Sequence, residues 1–293
     1  AFSGYINRPR MVFLYVLPVA AENLSPALNY FATVDVDYIT APCDCSAADA
    51  AEVAAWVAAR RADDMAVKAV LPSKAADNEG VINFTAAGIK TGETAFTTAQ
   101  YCSRIAGMLA GTPLNIACTY AILPEVTDIT RLSTAESTAA IDRGELILYH
   151  DGEKVKIARG VNSLQTTTAD KGAAFKKIKI VEATDVMRRD ITRAVQDSYI
   201  GKYQNSYDNK CLLISAIQSY LQAMEQQGVL AAGKSSVGIN MTQQRQYLTA
   251  HGMDVSRMTE QEIKSADTGE QVFLTATVKI LDAIEDIDLA III

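Results

Sequence analysis

The sequence lacks features that would place it in three common classes of protein. It contains no apolar run long enough to cross a membrane as a helix, so no membrane insertion is expected. Its net charge of −7 argues against nucleic acid as a partner, because neutralising phosphates requires a basic face. No signal peptide precedes the first predicted strand, and the chain starts at Ala1 without a methionine, so we expect upstream residues to be missing.

Residues suited to catalysis or metal binding are also scarce. The two histidines, His150 and His251, are far apart, and no G-x-S-x-G pattern occurs. Cys43 and Cys45 form a single C-x-C pair, whereas a zinc site needs four ligands at recognisable spacing. The full set of cysteines, read as reduced and mostly buried thiols of an intracellular protein, is Cys43, Cys45, Cys102, Cys118 and Cys211. No catalytic residue, metal or cofactor is therefore predicted.

One segment does match a catalytic motif. GVLAAGKS satisfies the phosphate-binding pattern G-x-x-x-x-G-K-[ST] through Gly228, Gly233, Lys234 and Ser235. In that motif a strand precedes the loop and a helix follows it. Here a predicted helix ends at the first glycine, and a predicted strand, SVGINM, follows. The order favours a helix end and a turn, and a cytosolic, nucleotide-dependent α/β enzyme is the alternative function.

The first part of the chain alternates between predicted strands and helices. Apolar runs of strand length occur at 11–18, 35–42, 66–72 and 80–86, and helical patterns occur at 24–34, 46–64 and 97–110. This alternation predicts a three-layer α/β domain with a largely parallel sheet, which we assign to residues 1–118.

From residue 119 onwards the pattern becomes α+β. A short helix is predicted at 134–143, and Asp151-Gly152 marks the turn of a hairpin. KKIKI is predicted to begin as a strand that becomes a long helix, and further helices are predicted at 209–227 and 242–251. Residues 119–293 are assigned to a second, C-terminal domain.

The final segment, EDIDLAIII, has an alternating apolar pattern. Ile287, Leu289, Ile291 and Ile293 share one face of a predicted strand, and Asp286, Asp288, Ala290 and Ile292 share the other. LDAIED, just before it, has no residue suited to a tight turn. One interpretation is an internal hairpin with 272–280. The other is an arm, residues 282–293, whose strand from Asp286 to Ile293 joins the sheet edge of a neighbouring subunit.

Nine stretches, read in order along nearly the whole chain, carry a family resemblance. They are KAVLP, EGVINFT, YCSRIAGMLAGTPL, GELILYHDG, IARGVNSL, FKKIKIVEATDV, YIGKYQNSYDNKCLLI, EIKSADTGEQVFL and LDAIEDIDLAI. The series resembles the contractile tail sheath proteins of phages and phage-tail-like bacteriocins, in the compact form found in Gram-positive hosts. No single stretch is as diagnostic as a catalytic motif, but the series is specific.

The resemblance implies a fold and a function. The first domain is expected to be subtilisin-like without the catalytic triad, and strands from neighbouring subunits are expected to complete a sheet in the C-terminal domain. The chain is then a structural subunit, not an enzyme, that forms stacked hexameric rings around a tail tube. Its implied partners are further copies of itself, the tail tube protein, and baseplate and tail terminator proteins. Contraction would drive the tube through the target cell envelope.

The resemblance also implies a location and a departure from the family. The expected location is the tail of a virion, prophage or bacteriocin particle, assembled in the host cytoplasm. An N-terminal arm, which the family has, is expected to be absent from this chain. A basic cluster on an otherwise acidic chain is a candidate for tube contact, with a solvated surface as the alternative. It comprises Lys171, Lys176, Lys177, Lys179, Arg188 and Arg189.

Overall fold

The chain divides into two compact units. The computed structural model describes residues 2–19, 21–169 and 171–292. Unit 1 comprises Ala1–Asp185 and Asp282–Ile293, and unit 2 comprises Val186–Leu281. This division differs from the boundary expected after residue 118, because the chain beyond that residue supplies a strand to the first sheet and side chains to its core.

Unit 1 is built on a parallel sheet. The strands of unit 1 are β1 (Tyr38–Thr40), β2 (Lys68–Pro72), β3 (Val81–Phe84), β4 (Ile89–Thr91), β5 (Thr94–Phe96), β6 (Glu145–Leu146), β7 (Leu148–His150) and β8 (Val155–Ile157). β1, β2, β3 and β6 are parallel and lie in that order, whereas β4–β5 and β7–β8 are antiparallel hairpins. The predicted parallel sheet and the hairpin at Asp151-Gly152 are confirmed.

The described helices of unit 1 are α1 (Ser25–Phe31), α2 (Ala47–Ala62), α3 (Thr98–Ala110), α4 (Thr134–Asp142) and the start of α5 (Ile178–Ser198). Two of them illustrate how the sequence marks a helix start. α2 begins at a capping box of Ser46 and Asp49, in which each side chain bonds the other residue's backbone N–H. α3 has the same arrangement at Thr97 and Gln100, and it stops at Gly111.

Two apolar clusters on opposite faces of the sheet make unit 1 a three-layer structure. Ala69 and Leu71 of β2 pack with α2, whereas Val70, between them, packs with α3. Successive side chains of a strand point to opposite faces, so one short apolar strand serves both clusters. This explains why β2 and β3 are almost uninterrupted apolar runs, as is typical of a sheet covered on both sides.

The strand predicted at 11–18 is wrong. These residues form no helix and join no sheet among the described residues, and most of their side chains are exposed. Tyr15 lies against Tyr30 and Phe31, with ring centroids 5.2 and 6.5 Å apart. Apolar composition is compatible with a strand, but a strand also needs a neighbouring edge to bond its backbone, and the described chain offers this segment none.

The strand predicted at KKIKI is also wrong. Ala173–Lys176 form a 3₁₀ turn, and α5 begins directly afterwards at Ile178. Val161 and Lys177 make one isolated antiparallel bridge. Five alternating residues are too few to decide between the two periods, and Ile178, Val181 and Asp185 already follow the helical spacing i, i+3, i+7.

Unit 2 holds the remainder of α5 and a small sheet with helices. Its further elements are α6 (Tyr207–Gln226), β9 (Ser236–Ile239), α7 (Met241–Ala250), α8 (Glu260–Ser265) and β10 (Leu274–Thr277). β9 and β10 pair antiparallel, from Leu274 opposite Ile239 to Thr277 opposite Ser236. The predicted helices at 209–227 and 242–251 are confirmed.

Two of the nine stretches meet in unit 2. The Asn205 side-chain amide donates to the backbone carbonyls of Gly269 and Gln271, at 2.7 and 3.0 Å. The buried Lys210 ammonium lies 3.3 Å from Thr268 Oγ1, and burial lowers the pKa of this lysine. These contacts tie the start of α6 to the loop that leads into β10.

Candidate functional site

Residues 287–292, called the arm tip below, expose both faces of the predicted strand. Ile287, Leu289 and Ile291 are 83%, 75% and 78% exposed, and Ile292, on the opposite face, is 95% exposed. No strand is assigned here and no pairing with 272–280 occurs, so the described residues do not form the internal hairpin. Ile293 lies outside the described residues. A cluster of exposed aliphatic side chains of this size marks an interaction segment.

Residues 282–286, called the arm base below, are held to unit 1 by acidic side chains. Asp282 Oδ2 lies 2.8 Å from Lys177 Nζ. Asp286 accepts two hydrogen bonds from the Arg159 guanidinium, at 2.7 and 2.8 Å. These bonds lower the pKa of Asp286 and raise that of Arg159. The arm is therefore fixed at its base and free at its tip.

Glu285 is the most enclosed residue of the arm base. Its side chain is 8% exposed, and it accepts a hydrogen bond from Thr119 Oγ1 at 2.5 Å and lies 3.3 Å from the Arg159 guanidinium. Thr119 Oγ1 in turn accepts from the backbone N–H of Gly160 at 2.9 Å. Thr119, Arg159 and Lys177, which hold the arm base, are called the socket below.

Unit 2 presents a strand with one unpaired edge. Beyond β10 the chain continues along residues 229–231, with Ala231 N donating to Lys279 O and Leu281 N donating to Val229 O. Leu230 and Ile280 form a bridge in the same direction. All these bonds lie on the side that β9 occupies, so the other edge of β10 has no strand partner among the described residues.

The GVLAAGKS loop is occupied by a carboxylate of its own unit. α6 ends just before Gly228, which has a φ of 72°, and Gly233 has a φ of 66°. Glu225 accepts hydrogen bonds from the backbone N–H groups of Gly233 and Ser235, at 2.9 and 3.0 Å. A phosphate would need these same amides, and the element that follows is β9, a strand. The geometry agrees with a helix end and a turn and does not support the nucleotide-dependent enzyme.

The candidate catalytic and metal-binding residues take local roles. His150 Nδ1 accepts from Gly152 N at 2.9 Å, and the His251 ring stacks on Tyr247 at 4.0 Å. The five cysteines, Cys43 and Cys45 among them, are free thiols. The part of the chain that is described contains no group of three or more metal-ligating side chains, and none of its helices is long and apolar enough to cross a membrane.

The predicted basic cluster is divided between the two units, with its four lysines in unit 1 and Arg188 and Arg189 in unit 2. Lys171 pairs with Glu79 at 2.7 Å, and Lys177 pairs with Asp282. Lys179 is buried, and its burial lowers its pKa. Lys176 lies in the 3₁₀ turn before α5 and is half-buried. Lys171 and Lys177 are thus engaged by carboxylates of their own unit.

A buried network of charges fastens α5 to the sheet of unit 1. Asp185 of α5 receives two hydrogen bonds from Arg61 of α2, at 2.8 and 3.0 Å, and one from Lys68 of β2 at 3.2 Å. Arg61 also bonds Glu79 at 3.0 Å, and Lys68 lies 3.4 Å from Glu182. Tyr38 of β1 donates to Glu182, which together with burial raises the pKa of this tyrosine.

Burial and pairing compete at Asp185 and Glu79. Burial raises the pKa of each carboxyl, because it disfavours the charged form. At Asp185, the hydrogen bonds from Arg61 and the charge of Lys68 lower the pKa by more than burial raises it. At Glu79, the bonds from Lys171 and Arg61 do the same. Both pKa values are therefore lowered, and both groups are ionised partners in the folded unit.

Comparison with known proteins decides the family. The phage tail sheath protein central domain matches residues 18–163, and the phage tail sheath C-terminal domain matches residues 170–293. The tail sheath protein of Clostridium phage phiCD119 is 38% identical over 265 residues, which make up 90% of this chain and 74% of that protein. The chain belongs to the phage tail sheath family. It is a structural subunit of a contractile phage-type tail, and the resemblance carried by the nine stretches is confirmed.

Solved sheath structures share the mixed α/β fold of this sheath chain. The anti-feeding prophage helical sheath in its contracted state superposes with a TM-score of 0.71 at 18% identity, over 95% of this chain and 77% of that one. The sheath tail protein of Desulfitobacterium hafniense gives a TM-score of 0.67 at 26% identity, over 73% of this chain. The match spans about half of the D. hafniense chain, 52% of its length.

Three of the sheath-like stretches meet in the buried network, which sequence reasoning missed. Lys68 opens KAVLP, Glu79 opens EGVINFT, and Glu182 and Asp185 lie in FKKIKIVEATDV. The IARGVNSL stretch contacts the chain next to the network, because Ser163 Oγ donates to the carbonyl of Asn78, the residue before Glu79, at 3.0 Å. Two signals were available: a lysine at the start of a buried strand, and an aspartate on the apolar face of α5.

Gly160 of the sheath chain sits where no side chain fits. A Cβ there would lie 2.7 Å from Cys118 Sγ and 3.5 Å from Thr119 Oγ1. We expect Gly160→Ala to lower the free energy of unfolding by about 1–3 kcal/mol, as overpacking typically does, measured by denaturant unfolding. Gly172→Ala is the matched control, because a Cβ at Gly172 meets no atom within 4 Å. Equal stability of the two variants would contradict the expectation.

Proposed function

We propose that this sheath chain polymerises as hexameric rings, stacked helically around a tail tube, and contracts to drive the tube through the target cell envelope. The observation that carries the proposal is the exposed arm tip, whose described apolar side chains are 75–95% exposed. The arm tip adds as a strand to the unpaired edge of β10 in a neighbouring copy. Main-chain hydrogen bonds then supply affinity, and Ile287, Leu289 and Ile291 set the register.

The size of the arm tip implies cooperative assembly. Burying three large aliphatic side chains contributes roughly 4–9 kcal/mol. Association costs about 4–15 kcal/mol in lost translational and rotational freedom, before the tip is ordered. One arm is therefore barely sufficient to hold one pair of subunits. A ring in which every subunit gives one arm and receives another closes all contacts together, which favours a polymer over a dimer.

Contraction is proposed as a rigid-body rearrangement about flexible links. The extended packing of subunits stores the energy, release is triggered at the baseplate, and strand links keep neighbours joined while subunits rotate. Unit 1, a three-layer α/β body, is proposed to be subtilisin-like without a catalytic triad, in accordance with the local roles of His150 and His251. The mechanism needs no cofactor. The chain works in the tail of a phage, prophage or bacteriocin particle, after assembly in the host cytoplasm.

The partners proposed for the polymer are the tail tube, the baseplate and the tail terminator. For the tube, the basic cluster at Lys171, Lys176, Lys177, Lys179, Arg188 and Arg189 remains a proposal. Lys171 and Lys177 pair with carboxylates of their own unit, so Lys176 is the member to substitute first.

Sedimentation velocity and negative-stain microscopy of the full-length protein test the proposal. We expect rings or tubes, alone or with tube protein, and no change in their amount when ATP or GTP is added. Small, nucleotide-binding oligomers would favour the enzyme instead. A protein that remains monomeric in all conditions, with and without tube, would overturn the sheath polymer.

A further inference from the structure

We propose that the socket of Thr119, Arg159 and Lys177 anchors the arm base, so that a pull on the arm tip is carried into unit 1. The inference rests on the proposed function, because the arm must join subunits for such a pull to exist. It assigns a site to residues that form no part of the strand contact itself. The anchored residues are Asp282, Glu285 and Asp286.

Asp286 is the outermost carboxylate of the arm base, and Ile284, before it, is itself 86% exposed. Asp286 is bound by both terminal nitrogens of Arg159, whereas Ile287 is 83% exposed. A bidentate arginine–carboxylate pair fixes orientation as well as distance, so it defines the direction in which the chain leaves the subunit. The arm tip therefore starts from a defined point.

The backbone of unit 1 orients one member of the half-buried socket. Thr119 Oγ1 accepts a hydrogen bond from Gly160 N and donates one to Glu285. The backbone therefore orients the hydroxyl that holds Glu285. Cys118, next to it, is buried, and burial raises the pKa of its thiol to about 12. The Arg159–Asp286 pair itself lies at the surface, where the Asp286 side chain is 78% exposed.

The order of the contacts suits resistance to pulling. Force applied to the tip reaches Asp286 first, then Glu285, then Asp282, and each carboxylate has its own donor in unit 1. Arg159 contacts both Asp286 and Glu285, so the two carboxylates share one guanidinium. Removing Arg159 is therefore the most damaging single change to the anchor.

Native-state proteolysis of the free subunit tests the anchor without any polymer. Endoproteinase Glu-C cleaves after glutamate, and cleavage after Glu285 requires this enclosed side chain to leave the socket. We expect Arg159→Ala to accelerate that cleavage roughly tenfold, the factor for loss of an interaction of about 1.4 kcal/mol. Cleavage after Glu153, in an exposed turn of the same unit, is the internal reference and stays unchanged.

Two further variants make the assignment specific. Arg143→Ala removes another arginine–carboxylate pair of unit 1, with Glu145 at 2.7 Å, and leaves cleavage after Glu285 unchanged. Arg159→Lys keeps a positive charge beside Glu285 and Asp286 but loses the two-point bond, so it should accelerate cleavage less than Arg159→Ala does. Unchanged cleavage in Arg159→Ala, or equal acceleration in Arg159→Lys and Arg159→Ala, would overturn the anchor.

The polymer gives a separate readout. We expect Arg159→Ala subunits to form tubes that break at lower shear or lower denaturant concentration than unmodified tubes. If the unmodified protein forms no tubes but proteolysis shows the anchor, the proposed function fails and the socket remains. If tubes form and Arg159→Ala changes neither cleavage nor tube strength, the proposed function remains and the anchor fails.

Discussion

Replacing Asp185 by alanine is expected to lower the free energy of unfolding by about 3–5 kcal/mol, the usual result of removing one member of a buried ion pair. The variant leaves Arg61 and Lys68 buried without the carboxylate that receives three of their hydrogen bonds. Lys68→Met should cost less, because Asp185 keeps both bonds from Arg61. Denaturant unfolding followed by circular dichroism measures both.

The pH dependence of this variant provides a second test. The pKa of Asp185 is lowered in the folded unit, because the bonds from Arg61 and the charge of Lys68 outweigh burial. The stability that this group contributes is complete above its unfolded pKa, about 4, and is lost as pH falls through the folded value. The difference in stability between the unmodified chain and Asp185→Ala should therefore shrink below about pH 4.

A control separates the network from the loss of a charge. Asp142 is an exposed aspartate at the end of α4, and Asp142→Ala should change stability by no more than about 0.5 kcal/mol. An Asp185→Ala variant as stable as Asp142→Ala, at neutral pH, would mean that the buried network contributes nothing to the attachment of α5.

Local patterns account for most of the elements that the sequence predicts correctly. The start of α2 depends on Ser46 and Asp49, three residues apart, and the end of α3 on a single glycine. The sheet strands β2 and β3 follow from apolar runs bounded by turn residues. The strand at 11–18 failed because its formation depends on a distant edge, which composition does not encode.

Local sequence patterns predict even less of the sites, because their residues come from distant parts of the chain. Alternation predicts a strand with an apolar face at 286–293, since the pattern is contained in eight residues; the described part is exposed but forms no strand within the subunit. The socket requires Arg159 and Asp286, 127 positions apart, and the buried network requires Arg61 and Asp185, 124 positions apart. No rule based on sequence spacing predicts contacts between residues so far apart in the chain.

Deleting residues 287–293 is expected to abolish polymerisation and to leave the subunit folded. The deletion removes the exposed arm tip and keeps Asp286, which the Arg159 guanidinium holds. Because the described tip residues bury almost nothing in their own subunit, the free energy of unfolding should change by less than about 0.5 kcal/mol. Sedimentation velocity and negative-stain microscopy measure the polymer, and thermal unfolding measures the fold.

Substitutions within the arm tip test whether assembly needs its apolar side chains or only a segment of that length. Changing Ile287, Leu289 and Ile291 together to aspartate keeps the chain length but places charges on the face that would be buried, so it should prevent assembly as completely as the deletion. Asp288→Asn with Ala290→Ser alters the opposite face and should leave assembly intact. Polymer formed by the truncated chain would show that the tip does not link subunits. Unfolding of the truncated chain would show that the tip belongs to the core of its own subunit.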